Sequence, residues 1–280
     1  MLQSSSSRFV LKLKSFSKIN LALWIKEKRP DNYHEIETIF FENNYLCDDI
    51  GIEFYEDKEL SVNVVFLQKE INALIPQEKN LVYKAALLFF EKLGINGSCN
   101  IIINKNIPMQ AGLGGGSSNA ACVLKGLNQI FGSKLKENEL LGLSSQIGSD
   151  VPFFIFGKTC LGKGRGEVLT QLENKLKLEI KIVKPACVSV STSWAYEQID
   201  SREFMLDHGK EIENLILAMK QNDFDLLCKN IFNDFEMVVF SQYPQLIEER
   251  KKLLSQGYSV VKLCGSGSAL FGIKQNLTIA

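Results

Sequence analysis

The stretch Pro108-Met109-Gln110-Ala111-Gly112-Leu113-Gly114-Gly115-Gly116-Ser117-Ser118-Asn119-Ala120-Ala121 constrains this chain more than any other. Just before it, Ile101-Ile102-Ile103 is short and β-branched, which predicts a buried strand. Just after it, Ala120, Leu124, Leu127 and Phe131 recur at spacings of four, three and four. Those positions form one face of a helix, and Gly132 is placed to stop it. The order is therefore strand, glycine loop, helix. Glycines at 112, 114, 115 and 116 remove the side chains that would keep a bulky anion from the backbone. The freed N–H groups, with the positive end of the helix, can surround a phosphate. Ser117, Ser118 and Asn119 add short polar side chains that can cap the helix, bond a phosphate or reach a metal ion.

Neither common nucleotide loop is present. No Gly-Lys-Ser/Thr follows the glycines, and the dinucleotide fingerprint counted from Gly112 would need Gly or Ala at Ser117. A plain turn needs one or two glycines, and this loop exceeds that need. It reads as a phosphate cradle.

Bulk composition narrows the class. The 280 residues can form one large domain or two ordinary ones. Thirty-two basic residues balance 32 acidic ones, which argues against a nucleic-acid binder. No apolar run approaches the roughly 20 residues that span a bilayer, and Ser4 to Ser7 resembles a disordered leader rather than a signal peptide. Seven cysteines, without a Cys-x-x-Cys, fit free thiols in a reducing cytoplasm better than a disulfide frame or zinc site.

From Phe9 to Lys26 the residues favour extended chain, with Ile19, Leu21, Leu23 and Ile25 on one face and Lys18 and Asn20 on the other. Taken alone, Lys18 reads as a solvated edge charge. Arg29-Pro30-Asp31-Asn32-Tyr33-His34-Glu35 reads as a turn whose Tyr-His pair can stack on a flat ligand or simply sit at the surface. Strands are expected at 50–54 and 60–66, and a helix capped by Asn80 and ended near Gly94. Another helix is expected through Leu140, Leu143 and Ile147. Val151-Pro152-Phe153-Phe154-Ile155-Phe156 then reads as an apolar strand with Asp150 at its mouth, a turn or cap residue by default. Gly157 to Gly166, with Lys158, Lys163 and Arg165, reads as a flexible basic segment and a domain boundary. Beyond it come strands at 178–183 and 187–191 and a helix from Thr192. Helices near 210–220, 224–232 and 243–255 follow, then strands 259–263 and 269–273 about Gly265-Ser266-Gly267-Ser268, which by itself could be a flexible hairpin. Strands and helices mix without regular alternation, so the class is α+β.

Four blocks resemble the GHMP small-molecule kinases: Lys18-Ile19-Asn20-Leu21, Arg29-Pro30-Asp31-Asn32-Tyr33-His34, the loop at 108–121, and Gly148-Ser149-Asp150-Val151-Pro152-Phe153-Phe154. The turn at 265–268 is similar to that family's third motif. The first two blocks point to a member whose acceptor is a cytidyl-sugar alcohol, another GHMP kinase with a different alcohol being the alternative. Gln110-Ala111 departs from the family's usual richer glycine. The resemblance implies two domains, residues 1–165 with an S5-like left-handed β-α-β unit and 166–280 with a ferredoxin-like fold. It implies ATP with Mg²⁺, metal ligands undetermined, and no nucleic-acid or membrane partner. Lys18 and Asp150 would be catalytic. Pro108, Met109, Gln110, Ala111, Gly112, Leu113, Gly114, Gly115, Gly116, Ser117 and Ser118 would hold the ATP phosphates. Asn20, Tyr33, His34 and Tyr196 would hold the acceptor, with Tyr33, His34 and Tyr196 around its base. A catalytically silent nucleotide sensor and an RNA-binding module are the rivals from other classes. Neutral charge speaks against RNA, and Lys18 with Asp150 against a silent sensor.

Overall fold

The computed structural model describes residues 8–201 and 207–276, so the expected leader at Ser4–Ser7 lies outside the described residues. In chain order the elements are β1 (Arg8–Lys28), β2 (His34–Tyr55), β3 (Ser61–Phe66), α1 (Lys69–Leu74), α2 (Leu81–Leu93), β4 (Ser98–Asn104), α3 (Gly115–Ile130), α4 (Glu137–Ser145) and α5 (Val151–Phe156). Then come β5 (Thr159–Lys163), β6 (Val168–Gln171), β7 (Leu178–Val183), α6 (Thr192–Asp200), α7 (Gly209–Gln221), α8 (Phe224–Asn230), β8 (Phe232–Asn233), α9 (Glu236–Gln242), α10 (Gln245–Ser255), β9 (Val260–Leu263) and β10 (Leu270–Gln275). The chain forms two compact units. Among the described residues, the first takes residues 8–17, Leu46–Ile107 and Gly114–Gly157, and the second takes Lys18–Tyr45, Pro108–Leu113 and those from Lys158 on.

In the first unit β3 and β4 pair in parallel and β4 pairs antiparallel with the end of β2. The parallel pair requires a crossover, which α1 and α2 supply. Strand β4 alternates as a half-buried strand should: Cys99, Ile101 and Ile103 are buried while Ile102 is exposed. The core is aromatic, with Phe54 on Phe90 at 5.6 Å and edge-on to Phe131 at 4.9 Å. Helix α2 starts as expected, the Asn80 side chain accepting from the Val82 N–H, and ends at Gly94 in the left-handed region.

In the second unit β2 pairs with β5, β5 with β6, and β8 runs parallel to β1 at Ala22 and Leu23. A separate sheet has the order β7-β10-β9, all antiparallel. Its core gathers Leu23, Val190, Ala195, Phe235, Val239, Leu246, Leu263 and Leu270.

Three expectations are corrected. Residues 151–156 are helix α5, not a strand. All but the last are buried, so no amphipathic period reveals the helix, while Pro152 near its start and Gly157 after its end suit a short helix. Residues 187–191 carry no strand. Val188 and Val190 are buried as alternate residues of a strand would be, but this backbone joins no ladder. The basic glycine segment at 157–166 is not flexible chain; most of it is strand β5 and its turn into β6. Ile36 N–H donates to the Gly164 carbonyl and Gly164 N–H to the Glu35 carboxylate, which pins that turn.

Candidate active site

Strand β1 places Lys18 and Asn20 on one face, as alternation requires. The strand lies inside its sheet, not at an edge, and residues 17–22 are buried on both faces. Lys18 is therefore 5% exposed rather than solvated. Its Nζ donates to Asn20 Oδ1 at 2.7 Å and lies 5.4 Å from the centre of the Phe40 ring. Asn20 Nδ2 donates to Thr38 Oγ1 at 2.8 Å, and Thr38 Oγ1 donates to the Ala22 carbonyl at 2.6 Å. This chain fixes the amide so that its oxygen faces the ammonium. A buried lysine is retained only when its charge is put to use or compensated. Thr38 was missed in the sequence; a strand read through Thr38-Ile39-Phe40 would have put Thr38 and Phe40 on one face.

The glycine loop has two parts. Pro108–Leu113 belongs to the second unit. There Lys184 Nζ donates to the Met109 carbonyl at 2.6 Å, Ser189 donates to the Gln110 side chain, and Lys18 N–H donates to the Leu113 carbonyl. Gly112 has φ +72°, and a Cβ there would lie 1.7 Å from the Cys264 carbonyl oxygen, so only glycine fits. The turn at 265–268 is likewise pinned: Asn233 Nδ2 donates to the Leu263 and Gly265 carbonyls, and Ser268 donates to the Val188 carbonyl. A cavity of about 470 Å³ in this unit is lined by Gly112, Thr192, Ser266 and Gly267 among others.

Gly114–Ser118 belongs to the first unit. Gly114 is the N-cap of α3, at φ +68°, and no side chain caps the helix. The serines thus lie inside the first turn instead of capping it, and the helix N–H groups are left for another acceptor. Ser118 is buried and its hydroxyl donates to the Phe16 carbonyl at 2.5 Å beside Ser15. Ser117 stays half exposed. At Gly115 a Cβ would meet Lys105 Nζ at 2.8 Å, whereas at Gly116 the nearest atom is Leu81 Cδ1 at 3.8 Å. Gly115 is small because protein lies behind it, whereas Gly116 is exposed and a Cβ there would make only an ordinary contact with Leu81.

Asp150 is half buried at the N-cap position of α5, but its side chain makes no capping bond. The cap role that its local sequence suggests is not what its carboxylate does. It belongs to the first unit and Lys18 to the second.

His34 opens β2, buried, with its ring stacked on Tyr196 at 4.6 Å and 14°. Its Nε2 lies 2.5 Å from Asp200 Oδ1, and Lys28 donates to the other oxygen of Asp200 at 2.8 Å. Burial alone would raise the Asp200 pKa, but the bonds from Lys28 and His34 outweigh it and hold the carboxyl below its ordinary value. Tyr196 also meets Phe235 edge-on at 4.9 Å. Tyr33 is exposed, with the Arg165 guanidinium 4.9 Å from its ring centre. The structure thus brings His34 and Tyr196 together and leaves Tyr33 at the surface. Asp200 was not singled out from the sequence, although its spacing of four from Tyr196 puts both on one helix face.

All seven cysteines are free, and burial pushes Cys99 and Cys160 up to about 12, so neither is a nucleophile at neutral pH. Among the described residues no helix is long and apolar enough to cross a membrane.

A glycine-rich, uncapped helix start, a buried lysine on a strand and a carboxylate at a short helix are the kinds of parts that a small-molecule kinase calls for. Residues 80–158 match the family described as GHMP kinases N terminal domain, and residues 215–278 match GHMP kinases C terminal. The chain belongs to the GHMP kinase family. It is 37% identical over 266 residues to the 4-diphosphocytidyl-2-C-methyl-D-erythritol kinase of Alkaliphilus metalliredigens, covering 95% of this chain and 88% of that protein. It is 39% identical over 267 residues to the protein of the same name from Caldicellulosiruptor bescii, covering 95% and 90%. Among solved structures, a 4-(cytidine 5'-diphospho)-2C-methyl-D-erythritol kinase superposes with a TM-score of 0.75 at 29% identity, covering 94% of this chain and 90% of that one. The homoserine kinase from Cytophaga hutchinsonii shares the fold, with a TM-score of 0.76 at 19% identity over 99% of this chain and 88% of that one.

Proposed function

We propose that this protein transfers the γ-phosphoryl group of ATP to the 2-hydroxyl of 4-diphosphocytidyl-2-C-methyl-D-erythritol, a step of non-mevalonate isoprenoid precursor synthesis in the cytoplasm. The observation that carries the acceptor is kinship along nearly the whole chain, 37% and 39% identity over 95% of it, to kinases of that name. The local geometry supports the roles. Phosphoryl transfer asks a protein for positioning and charge neutralisation more than for covalent chemistry. The uncapped start of α3 and the open side of Gly116 suit the phosphates of ATP. Lys18, held by Asn20 and Thr38, supplies a fixed positive charge. Asp150 orients the acceptor hydroxyl and takes its proton. Tyr33, His34 and Tyr196 hold the cytosine, a flat base suited to stacking with its edge hydrogen-bonded.

Mg²⁺ fits these residues. Mg²⁺ is held mostly by phosphate and water oxygens and asks a protein for only one or two oxygen ligands, which the half-exposed hydroxyl of Ser117 in the first turn of α3 would supply. Ser117 is the more accessible hydroxyl for it, since Ser118 is buried against Phe16 and Ser15. When bound, the ion neutralises charge on the transferred group.

The test is ADP release from ATP with a panel of alcohols: the cytidyl sugar, homoserine, mevalonate and galactose. Turnover with the cytidyl sugar alone is expected. A higher kcat/KM with any other member would overturn the acceptor assignment.

A further inference from the structure

Strand β4 ends at Asn104, so residues 105–107 have no ladder to satisfy their backbone groups. Side chains do it instead. Gln68 accepts from Lys105 N–H and donates to the Lys105 carbonyl, both at 3.1 Å. Asp48 Oδ1 accepts from Asn106 N–H and Ile107 N–H, each at 2.7 Å. Lys105 Nζ donates to Asp48 Oδ2 at 2.7 Å and to the Ile107 carbonyl at 2.8 Å. The Asp48 side chain is 0% exposed and that of Lys105 8%. Burial lowers the Lys105 pKa and the Asp48 charge opposes it. Burying an ion pair is an expensive way to hold three residues, and hydrophobic packing would usually serve as well.

What these three residues precede explains the expense. Ile107 is the last residue before the glycine loop, and Gly115 is the first residue of α3 after it. Lys105 Nζ bonds Ile107 directly and packs behind Gly115, where a Cβ would stand only 2.8 Å away. One ammonium group thus bonds the residue before the 108–114 segment and lies against the residue after it. We propose that Lys105, locked by Asp48, is a positioning residue for ATP, stapling the base of the phosphate loop so that the amide groups at the start of α3 are preset for the triphosphate. A preset loop spends less binding energy on ordering itself. Lys105 acts through the loop, not on the reacting atoms.

This rests on the glycine loop being the ATP cradle, and the test separates the two claims. ATP affinity is measured by calorimetry without acceptor, and kcat with both KM values by coupled assay, for wild type and Lys105→Met. Because that variant strands the Asp48 charge and could fail to fold, the double variant Asp48→Asn/Lys105→Met, with both charges gone, is measured alongside. In the folded variant the ATP Kd and KM are expected to rise about tenfold together, the scale of lost hydrogen bonds to a charged group. The acceptor KM should stay within about twofold. A role confined to stability would lower kcat through the active fraction and leave both KM values alone, and that result overturns the proposal. So does a folded double variant whose ATP Kd matches wild type. Wild-type protein that binds no ATP would sink the cradle itself.

Discussion

The glycine loop and the aromatic cluster, the two recognition elements of the proposed enzyme, are built in opposite ways. The loop works through backbone: an uncapped helix start, a glycine open to solvent and neighbours that fix the chain. The cluster works through side chains from distant positions, His34 on β2 and Tyr196 with Asp200 on α6. A backbone site must be contiguous, because successive amides make it. A side-chain site needs only packing to assemble it. In the proposed enzyme the first grips the donor and the second the acceptor, so substitutions in each should move different constants.

The largest effect should fall on neither grip. Asp150→Asn is expected to cut kcat by roughly 10²–10⁴, the range of a positioned acid–base group, with both KM values nearly unchanged. Activity within a few-fold of wild type would return Asp150 to a local structural role. Next in size, Tyr196→Ala should raise the acceptor KM about 10- to 100-fold, from stacking worth about 1–3 kcal/mol, while the ATP KM stays put. A rise in both would mean that the cluster is not an acceptor site. Gly116→Ala should do the reverse and raise the ATP KM on the order of tenfold, because a methyl in the exposed first turn of α3 crowds the close approach of a triphosphate to backbone. The same change should stabilise the fold by about 0.5–1 kcal/mol, since alanine suits a helix better than glycine. Thermal melting and ATP titration would thus move in opposite directions, and a matched loss of both would break the contrast.

The smallest effect concerns Asp200. Its folded pKa lies below the ordinary value, so the ionised carboxylate stabilises the native state at neutral pH, and that contribution is lost as pH falls through the folded pKa. Asp200→Asn should therefore flatten the decline of stability on the acid side. It should also raise the acceptor KM by roughly two- to tenfold through a less fixed His34. Denaturation curves across the acid range that superpose on wild type would show that the His34–Asp200 bond contributes nothing.

How much of this was legible in the sequence follows from the same contrast. The loop could be read because Ile101–Ile103, the glycines and the Ala120–Phe131 face are adjacent, and each obeys a local rule. Lys18 and Asn20 were placed on one face correctly, but their burial was not, since nothing local says that β1 lies inside its sheet. Helix α5 passed for a strand because a helix buried nearly all round carries no period. The Asp48–Lys105 pair joins residues 57 apart and His34–Asp200 joins residues 166 apart, distances at which no spacing rule operates. Gly115 and Gly116 look alike in the sequence, and only the neighbours of each tell them apart.

The central claim is that this kinase binds its acceptor through a cytidine. The most direct measurement compares kcat/KM for 4-diphosphocytidyl-2-C-methyl-D-erythritol and for 2-C-methyl-D-erythritol 4-phosphate in the same assay. Binding energy from the remote base is expected to favour the cytidyl compound by roughly a hundredfold or more. Comparable values for the two would contradict the account and leave a GHMP kinase whose acceptor is some other alcohol.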